Sequence, residues 1–203
     1  MLIGIAGGTG AGKTTVARRV TEGVESVRVL PLDNYYCDRS SLDSDKRARV
    51  NYDHPDAFDW KLVRRHVDAL ANGEAVEMPQ YDFERHVRTD ETVRVEPGSV
   101  VVIEGILALY DEAVRERLDI RLYVETDADV RVLRRLERDV EERGRTIEGV
   151  IDQYLSTVKP MHERFVRPTK RNADLLTSSP RWSARIPRLR CSQLSRRVNL
   201  RVR

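Results

Sequence analysis

The 203-residue sequence contains only two cysteines, Cys37 and Cys191, which follow no metal-site or redox motif. Two unpatterned cysteines exclude a disulfide framework and a cysteine-ligated zinc site, and they are typical of free thiols. No apolar run approaches the ~18 residues that cross a membrane. The first residues also lack the basic segment and the small-residue cleavage site of a signal peptide. We therefore expect a cytoplasmic protein with no membrane partner.

Acidic residues are missing from the last part of the chain. Residues 178–203 contain eight Arg and no Lys, Asp or Glu, whereas residues 1–177 contain 28 basic and 33 acidic residues. The formal charge of +3 thus combines a body of −5 with a basic tail. Three explanations stay open: an added basic arm, a degenerate terminal helix, or a frame-shifted end of the coding sequence. We expect residues 1–177 to form one domain and residues 178–203 to be a poorly ordered tail.

The sequence does contain a complete phosphate-binding loop, because residues 7–14 read GGTGAGKT and match G-x-x-x-x-G-K-[ST]. An apolar segment at 2–6 precedes the loop and a helix-like stretch follows it. In that context the backbone N–H groups of the loop and the helix N-terminus surround a phosphate. Lys13 is placed for the β- and γ-phosphates, and the Thr14 hydroxyl for Mg²⁺. The predicted nucleotide site comprises Gly7, Gly8, Thr9, Gly10, Ala11, Gly12, Lys13, Thr14 and Thr15.

The apolar segments have the spacing of an α/β fold with a parallel sheet flanked by helices. Further strands are predicted at 27–32, 100–103, 120–124 and 173–176, and helices at 60–72, 127–143 and 147–158. Asp33 follows the strand at 27–32, and Glu104 follows the strand at 100–103. Ligands bind at the carboxyl ends of such strands. Two carboxylates beside a phosphate loop indicate phosphoryl transfer, with one acting on the nucleophile and one on the metal.

The helix predicted at 127–143 has two distinct faces. At about 100° per residue, one sector is apolar and is predicted to face the core: Leu133, Leu136 and Val140. The opposite side carries Arg131, Arg135 and Arg138. Two interpretations of this basic face stay open: a solvated surface paired with Glu137, Glu141 and Glu142, or a phosphate-binding surface.

Several segments resemble the uridine kinase (uridine–cytidine kinase) family of P-loop kinases, which is related to phosphoribulokinase. The resemblance spans about residues 3–177 in family order and includes LDNYY at 32–36, NYDHPDAFDW at 51–60, MPQYDFERH at 78–86, VVIEGILALY at 101–110, RDVEERGR at 138–145 and QYLSTVKPMHERFVRPTK at 153–170. It implies a P-loop NTPase-type sheet with a small nucleoside-binding hairpin or loop and an Arg-rich lid. It also implies that ATP or GTP, with Mg²⁺, phosphorylates the 5′-hydroxyl of uridine and cytidine.

The resemblance also implies roles for individual residues. Asp33 is the expected catalytic base, assisted by Lys13 and Arg138, while Thr14 and Glu104 are the expected metal ligands. Arg143 and Arg145 are expected to contact the phosphate donor. The nucleoside is expected to contact Asp53, Tyr81, Phe83, His86, Ile106, Arg135 and Gln153. Without the resemblance, Tyr81, Phe83 and His86 would be interpreted as a small aromatic cluster on a loop or hairpin.

Two alternatives to this function remain. The first is a related small-molecule kinase of the phosphoribulokinase type, which would need additional basic residues rather than the aromatic residues at 81–86. The second is a nucleotide-dependent, nucleic-acid-binding protein that uses the Arg-rich tail. The sequence has neither an N-K-x-D guanine motif nor L-S-G-G-Q, which argues against a signalling GTPase and an ABC-type ATPase. We expect a small-molecule substrate and no nucleic-acid partner, and a homo-oligomer stays open.

Overall fold

A five-stranded parallel sheet forms the centre of the protein in a computed structural model that describes residues 1–178. The strand order is β2-β5-β1-β6-β7. The strands are β1 (Leu2–Ala6), β2 (Val27–Pro31), β5 (Val100–Glu104), β6 (Ile120–Glu125) and β7 (Leu175–Ser178). A separate antiparallel hairpin consists of β3 (Val76–Asp82) and β4 (Val87–Val95). The predicted sheet and the small hairpin are both present.

Helices connect the strands. They are α1 (Lys13–Val20), α2 (Ser44–Ala48), α3 (Trp60–Ala71), α4 (Glu112–Arg117), α5 (Ala128–Glu141), α6 (Ile147–Gln153) and α7 (Lys159–Met161). Short α7 lies between two π-helical turns, Tyr154–Val158 and His162–Val166, and a 3₁₀ segment, Arg167–Asn172, leads into β7. The predicted helix at 147–158 is therefore α-helical only as far as Gln153.

The central strands are buried on both faces because their successive side chains point to opposite sides of the sheet. In β1, Leu2 and Ala6 belong to the core beneath α3 and α4, whereas Ile3 and Ile5 pack with α1 on the other face. The register pairs Glu104 with Ile5 on one side and with Pro31 on the other. The carboxyl ends of β1, β2 and β5 therefore meet at one edge, as predicted.

The predicted core face of α5 is wrong. Leu133 is 66% exposed, whereas Arg131, Arg135 and Asp139 are buried. The inward face of this helix packs against the phosphate loop rather than against the apolar side of the sheet, and the Arg131 Nε donates a hydrogen bond to the Thr126 carbonyl at 3.1 Å. Because that contact surface is polar, the guanidinium groups turn inward.

None of the helices within residues 1–178 is long and apolar enough to cross a membrane. The predicted tail at 178–203 lies outside the described residues except for Ser178, which ends β7.

Candidate active site

The phosphate loop connects the end of β1 to the start of α1, as the sequence predicts. Gly12 caps α1 in the left-handed backbone region, and Lys13 and Thr14 begin the helix. The Lys13 Nζ donates a hydrogen bond to the Gly8 carbonyl at 3.2 Å. Burial lowers the pKa of Lys13, and the carboxylates of Glu104 and Asp33 oppose that effect. The loop thus presents helical N–H groups and one cation to an anion.

Thr14 and Glu104 meet at the edge where β1 and β5 end. The Thr14 hydroxyl lies 2.9 and 3.2 Å from the two Glu104 carboxylate oxygens. Burial raises the pKa of Glu104, while Lys13 and the hydrogen bond from Thr14 lower it. A hydroxyl and a carboxylate are the hard oxygen ligands that Mg²⁺ takes alongside phosphate oxygens. These two residues therefore fit a magnesium ion, and within residues 1–178 no cluster of three or more acidic, His or Cys side chains forms an all-protein metal site.

A pocket of about 800 Å³ opens beside the phosphate loop. Asp33, in the first turn of the 3₁₀ segment Leu32–Tyr35, lines this pocket together with Lys13. The other residues that were predicted to contact the nucleoside or the phosphates also line this pocket. They are Asp53, Tyr81, Phe83, His86, Ile106, Arg135, Arg138, Arg143, Arg145 and Gln153. Residues that are more than a hundred positions apart in the chain thus surround one cavity.

Aromatic side chains form the hairpin side of the pocket. Tyr81 lies in β3, and its ring contacts Phe83 edge-on at a centroid distance of 5.3 Å. His86 ends the turn with a φ of +55°, a conformation that non-glycine residues adopt infrequently. Burial lowers the pKa of His86, which favours the neutral ring with one donor and one acceptor nitrogen.

Two tyrosines that sequence reasoning missed complete this aromatic wall. The Tyr52 ring stacks on His86, with 5.0 Å between centroids and 13° between planes. Tyr36 contacts the rings of both Tyr52 and Tyr81. Burial raises the pKa of Tyr36, and the nearby carboxylates of Asp33 and Asp53 raise it further. Each tyrosine lies close in sequence to one of these aspartates and within the same resembling segment, and this was the signal that could have located it in the pocket.

Asp53 lies on the acceptor side of the pocket beside Arg135. Burial raises the pKa of Asp53, whereas Arg135 lowers it. The Asp53 backbone N–H donates a hydrogen bond to the Asn51 side-chain oxygen at 3.1 Å, which fixes the local turn. Within residues 1–178 its carboxylate has no hydrogen bond or ion pair, so it can accept hydrogen bonds from a ligand that enters the pocket.

Four arginines from α5 and the following turn line the opposite side. The Arg135 guanidinium donates to Thr9 Oγ1 at 3.2 Å and to Gln153 Oε1 at 2.7 Å, and Arg145 donates to the same Gln153 oxygen at 2.6 Å. The sequence offered Glu137, Glu141 and Glu142 as ion-pair partners, and within residues 1–178 none of them pairs with an arginine. The arginines pair instead with the buried carboxylate of Asp139, which was not among the residues assigned from the sequence.

A second pocket, of about 550 Å³, lies on the other side of the phosphate loop, where β6 and β7 end. Its lining includes Thr126, Val130, Arg134 and Thr177. The Thr126 hydroxyl donates a hydrogen bond to the Ala11 carbonyl at 3.0 Å, which joins this pocket to the loop. The loop is thus flanked by two cavities, one toward the hairpin and one toward β7.

Comparison with known proteins identifies the family. A model described as "Phosphoribulokinase / Uridine kinase family" matches residues 2–183. The chain belongs to this family. The uridine kinase of Halobacterium salinarum is 66% identical over 175 residues, covering 86% of this chain and 78% of that protein. The uridine kinase of Deinococcus deserti is 56% identical over 177 residues, covering 86% of each.

Phosphoribulokinase from Rhodobacter spheroides has a similar fold, with a TM-score of 0.64 at 15% identity over 86% of this chain and 68% of that one. Membership of the family implies a nucleotide phosphate donor. The P-loop kinase fold inferred from the strand spacing and the resemblance is thereby confirmed.

Proposed function

We propose that this protein phosphorylates the 5′-hydroxyl of uridine and cytidine, giving UMP and CMP, with ATP or GTP as donor. The observation that carries the proposal is the larger pocket, in which Asp33 and Asp53 lie between the phosphate loop and the aromatic hairpin. The uridine kinases of Halobacterium salinarum and Deinococcus deserti support the choice of substrate.

Asp33 is the proposed catalytic base. It occupies the pocket with Lys13, which is assigned to the β- and γ-phosphates, so a hydroxyl held at Asp33 faces the transferred phosphoryl group. The carboxylate aligns the 5′-hydroxyl and accepts its proton as the oxygen attacks the γ-phosphorus and the bond to the departing nucleoside diphosphate breaks. Arg138, with a partly exposed guanidinium, is proposed to stabilise charge on the phosphoryl oxygens. Bound Mg²⁺, held by Thr14 and Glu104, would neutralise charge on the β- and γ-phosphates.

The nucleoside is proposed to bind between the hairpin and the arginines. Asp53 accepts hydrogen bonds from the ribose diol, because a carboxylate has acceptor sites for two donors. Tyr81 and Phe83 provide ring surfaces for a pyrimidine, and Ile106 lines the same pocket. The neutral His86 ring can donate or accept, so it serves the 4-oxo group of uracil as well as the 4-amino group of cytosine. Arg135 donates to both Gln153 and Thr9, and it thereby links the nucleoside side of the pocket to the phosphate loop.

The donor nucleotide is proposed to lie across the phosphate loop, with its phosphates at residues 7–15 and its base in the pocket near Thr126 and Arg134. Arg143 and Arg145, in the turn after α5, are proposed to contact its phosphates as the Arg-rich lid. We infer that the enzyme works in the cytoplasm, where these donors are available.

The kinase domain is proposed to be residues 1–177, with the basic segment from residue 178 dispensable for chemistry. Every assigned group lies between Gly7 and Gln153. Because Ser178 ends β7, the clean test removes residues 179–203. Nucleoside specificity and kcat should be retained within about twofold, and the isoelectric point should fall because eight arginines are lost. Loss of activity in a truncated protein that still folds would show that the kinase needs the tail. Salt-dependent nucleic-acid binding that requires the tail would favour the nucleic-acid-binding alternative.

Release of ADP, measured across a panel of acceptors, tests the proposed substrate. Uridine and cytidine should support turnover, whereas thymidine, adenosine and ribulose 5-phosphate should not. Turnover of ribulose 5-phosphate without turnover of either pyrimidine nucleoside would replace the proposal by the phosphoribulokinase-type alternative.

A further inference from the structure

A fully buried carboxylate lies at the centre of the arginine cluster. Asp139 in α5 has 0% exposure. Its Oδ1 accepts from Arg138 Nε at 3.0 Å and Nη2 at 2.8 Å, and it lies 3.5 Å from Arg143 Nη1. Its Oδ2 lies 3.5 Å from Arg135 Nε and 3.8 Å from Arg145 Nη1. Four guanidinium groups that line the active-site pocket thus share one carboxylate.

The chain builds this cluster from a single short segment. Arg135 is four residues before Asp139 in α5, so helical geometry places it on the same face, and Arg143 follows in the turn just after the helix ends. Gly144, with a φ of +62°, then reverses the backbone, and the Arg145 N–H donates to the Asp139 carbonyl at 3.1 Å. The turn after α5 is therefore folded around Asp139 by both its backbone and its side chain.

Arg135 shows that an arginine can face Asp139 and still use other donors toward the pocket. A guanidinium has five N–H groups, and Arg135 uses Nη1 for Thr9 and Nη2 for Gln153 while its Nε faces Asp139. Without a central anion, four adjacent cations would repel one another and move apart toward water. With one anion among four cations, the cluster keeps an excess of positive charge toward the pocket.

We propose that Asp139 is a positioning residue that holds Arg135, Arg138, Arg143 and Arg145 as one preformed cluster before substrates bind. This inference rests on the proposed function, because that function makes the four arginines contacts of the nucleoside and the phosphates. Asp139 itself touches neither substrate. It keeps the guanidinium groups in place, so their reorganisation does not add to the barrier of the transfer step.

The test compares Asp139→Asn with Glu137→Gln. Both remove one negative charge from α5, but Glu137 is exposed and pairs with no arginine in the described part of the chain. Misplacing a catalytic group by about 1 Å costs on the order of 100-fold. We therefore expect Asp139→Asn to lower kcat by about that factor and to raise the KM for uridine, whereas Glu137→Gln stays within about twofold of the unmodified protein. Asp139→Glu, which restores the charge, should recover part of the lost kcat.

A second experiment measures how fast the arginines are chemically modified, and it needs no catalytic turnover. Arg143 and Arg145 have side chains 41% and 37% exposed, and both form ion pairs with Asp139. In the unmodified, substrate-free protein, phenylglyoxal should modify them more slowly than exposed Arg18, as measured by mass spectrometry of the peptides. In Asp139→Asn their rates should approach that of Arg18. If Asp139→Asn does not fold, both measurements compare Asp139→Glu with the unmodified protein instead.

Equal kcat in Asp139→Asn and Glu137→Gln would overturn the inference, as would Arg18-like modification of Arg143 and Arg145 in the unmodified protein. Failure of the proposed function is distinguishable, because the unmodified protein would then turn over neither uridine nor cytidine while arginine protection was unchanged.

Discussion

Gly10→Ala should damage the enzyme far more than its small size suggests. A Cβ at Gly10 would lie 2.4 Å from the Arg131 carbonyl oxygen and 3.1 Å from the Arg131 carbonyl carbon, both of them backbone atoms of α5. Such contacts below about 3 Å do not persist in a close-packed interior, so the loop or the helix must move by about 0.6 Å. Gly10 also has a φ of +72°, where an L side chain costs about 1–2 kcal/mol.

Gly23→Ala is the matched control. Gly23 has a φ of +78°, and a Cβ there would meet nothing within 4 Å. The backbone cost alone should lower the melting temperature by about 2–8 °C for a chain of this size. Gly10→Ala should lower it further, because it adds the displacement of α5. Arg135 lies one helical turn beyond Arg131 and donates a hydrogen bond to Thr9. A displacement of α5 would therefore also shift the Arg135 guanidinium in the active site.

The assay is thermal unfolding together with kcat and the KM for the donor. A displacement approaching 1 Å at a catalytic group costs on the order of 10- to 100-fold in rate, so Gly10→Ala should lose that factor in kcat/KM for the donor while Gly23→Ala keeps the original value. Equal melting temperatures and equal donor kinetics in the two variants would refute the argument that α5 must approach the phosphate loop closely.

Three further substitutions test separate roles. Asp33→Asn should lower kcat by about 10²–10⁴-fold with donor binding largely intact, because only the proton acceptor is lost; a near-normal kcat would remove Asp33 from the base role. Lys13→Ala should weaken donor binding and lower turnover, since its ammonium is assigned to the β- and γ-phosphates, and unchanged values of both would contradict the phosphate-loop assignment. His86→Ala should raise the KM for both uridine and cytidine with little change in the KM for the donor. An increase confined to the KM for the donor would assign the hairpin to donor binding instead.

The sheet edge was predictable because it depends on local signals. The apolar runs ending at Ala6 and Glu104, and the strand before Asp33, fix which residues emerge at the carboxyl edge of a parallel sheet. The strand order and the register, which sets Glu104 beside Ile5 and Pro31, required the three-dimensional structure.

The orientation of α5 was not predictable from its hydrophobic pattern. That pattern assumes that a helix buries its apolar side, but α5 covers a polar loop, so Arg131 and Arg135 are buried and Leu133 is exposed. Asp139 was present four residues after Arg135 and before Arg143, and this spacing was the overlooked signal.

The aromatic wall depends on contacts between distant segments. Tyr52 stacks on His86 and Tyr36 contacts Tyr81, although each pair is separated by more than thirty residues. Sequence spacing carries no information about such pairs. Tyr36 and Tyr52 were therefore not assigned to the pocket, although both lie within segments that resemble the family.

The most direct test of the central claim is to identify the product formed from uridine and to compare uridine with 5′-deoxyuridine. We expect phosphorus NMR to show a phosphate on the 5′ oxygen, and 5′-deoxyuridine to inhibit competitively without being phosphorylated. Phosphate on a 2′ or 3′ oxygen, turnover of 5′-deoxyuridine, or no turnover of uridine would contradict the claim that this pocket directs the 5′-hydroxyl to the donor.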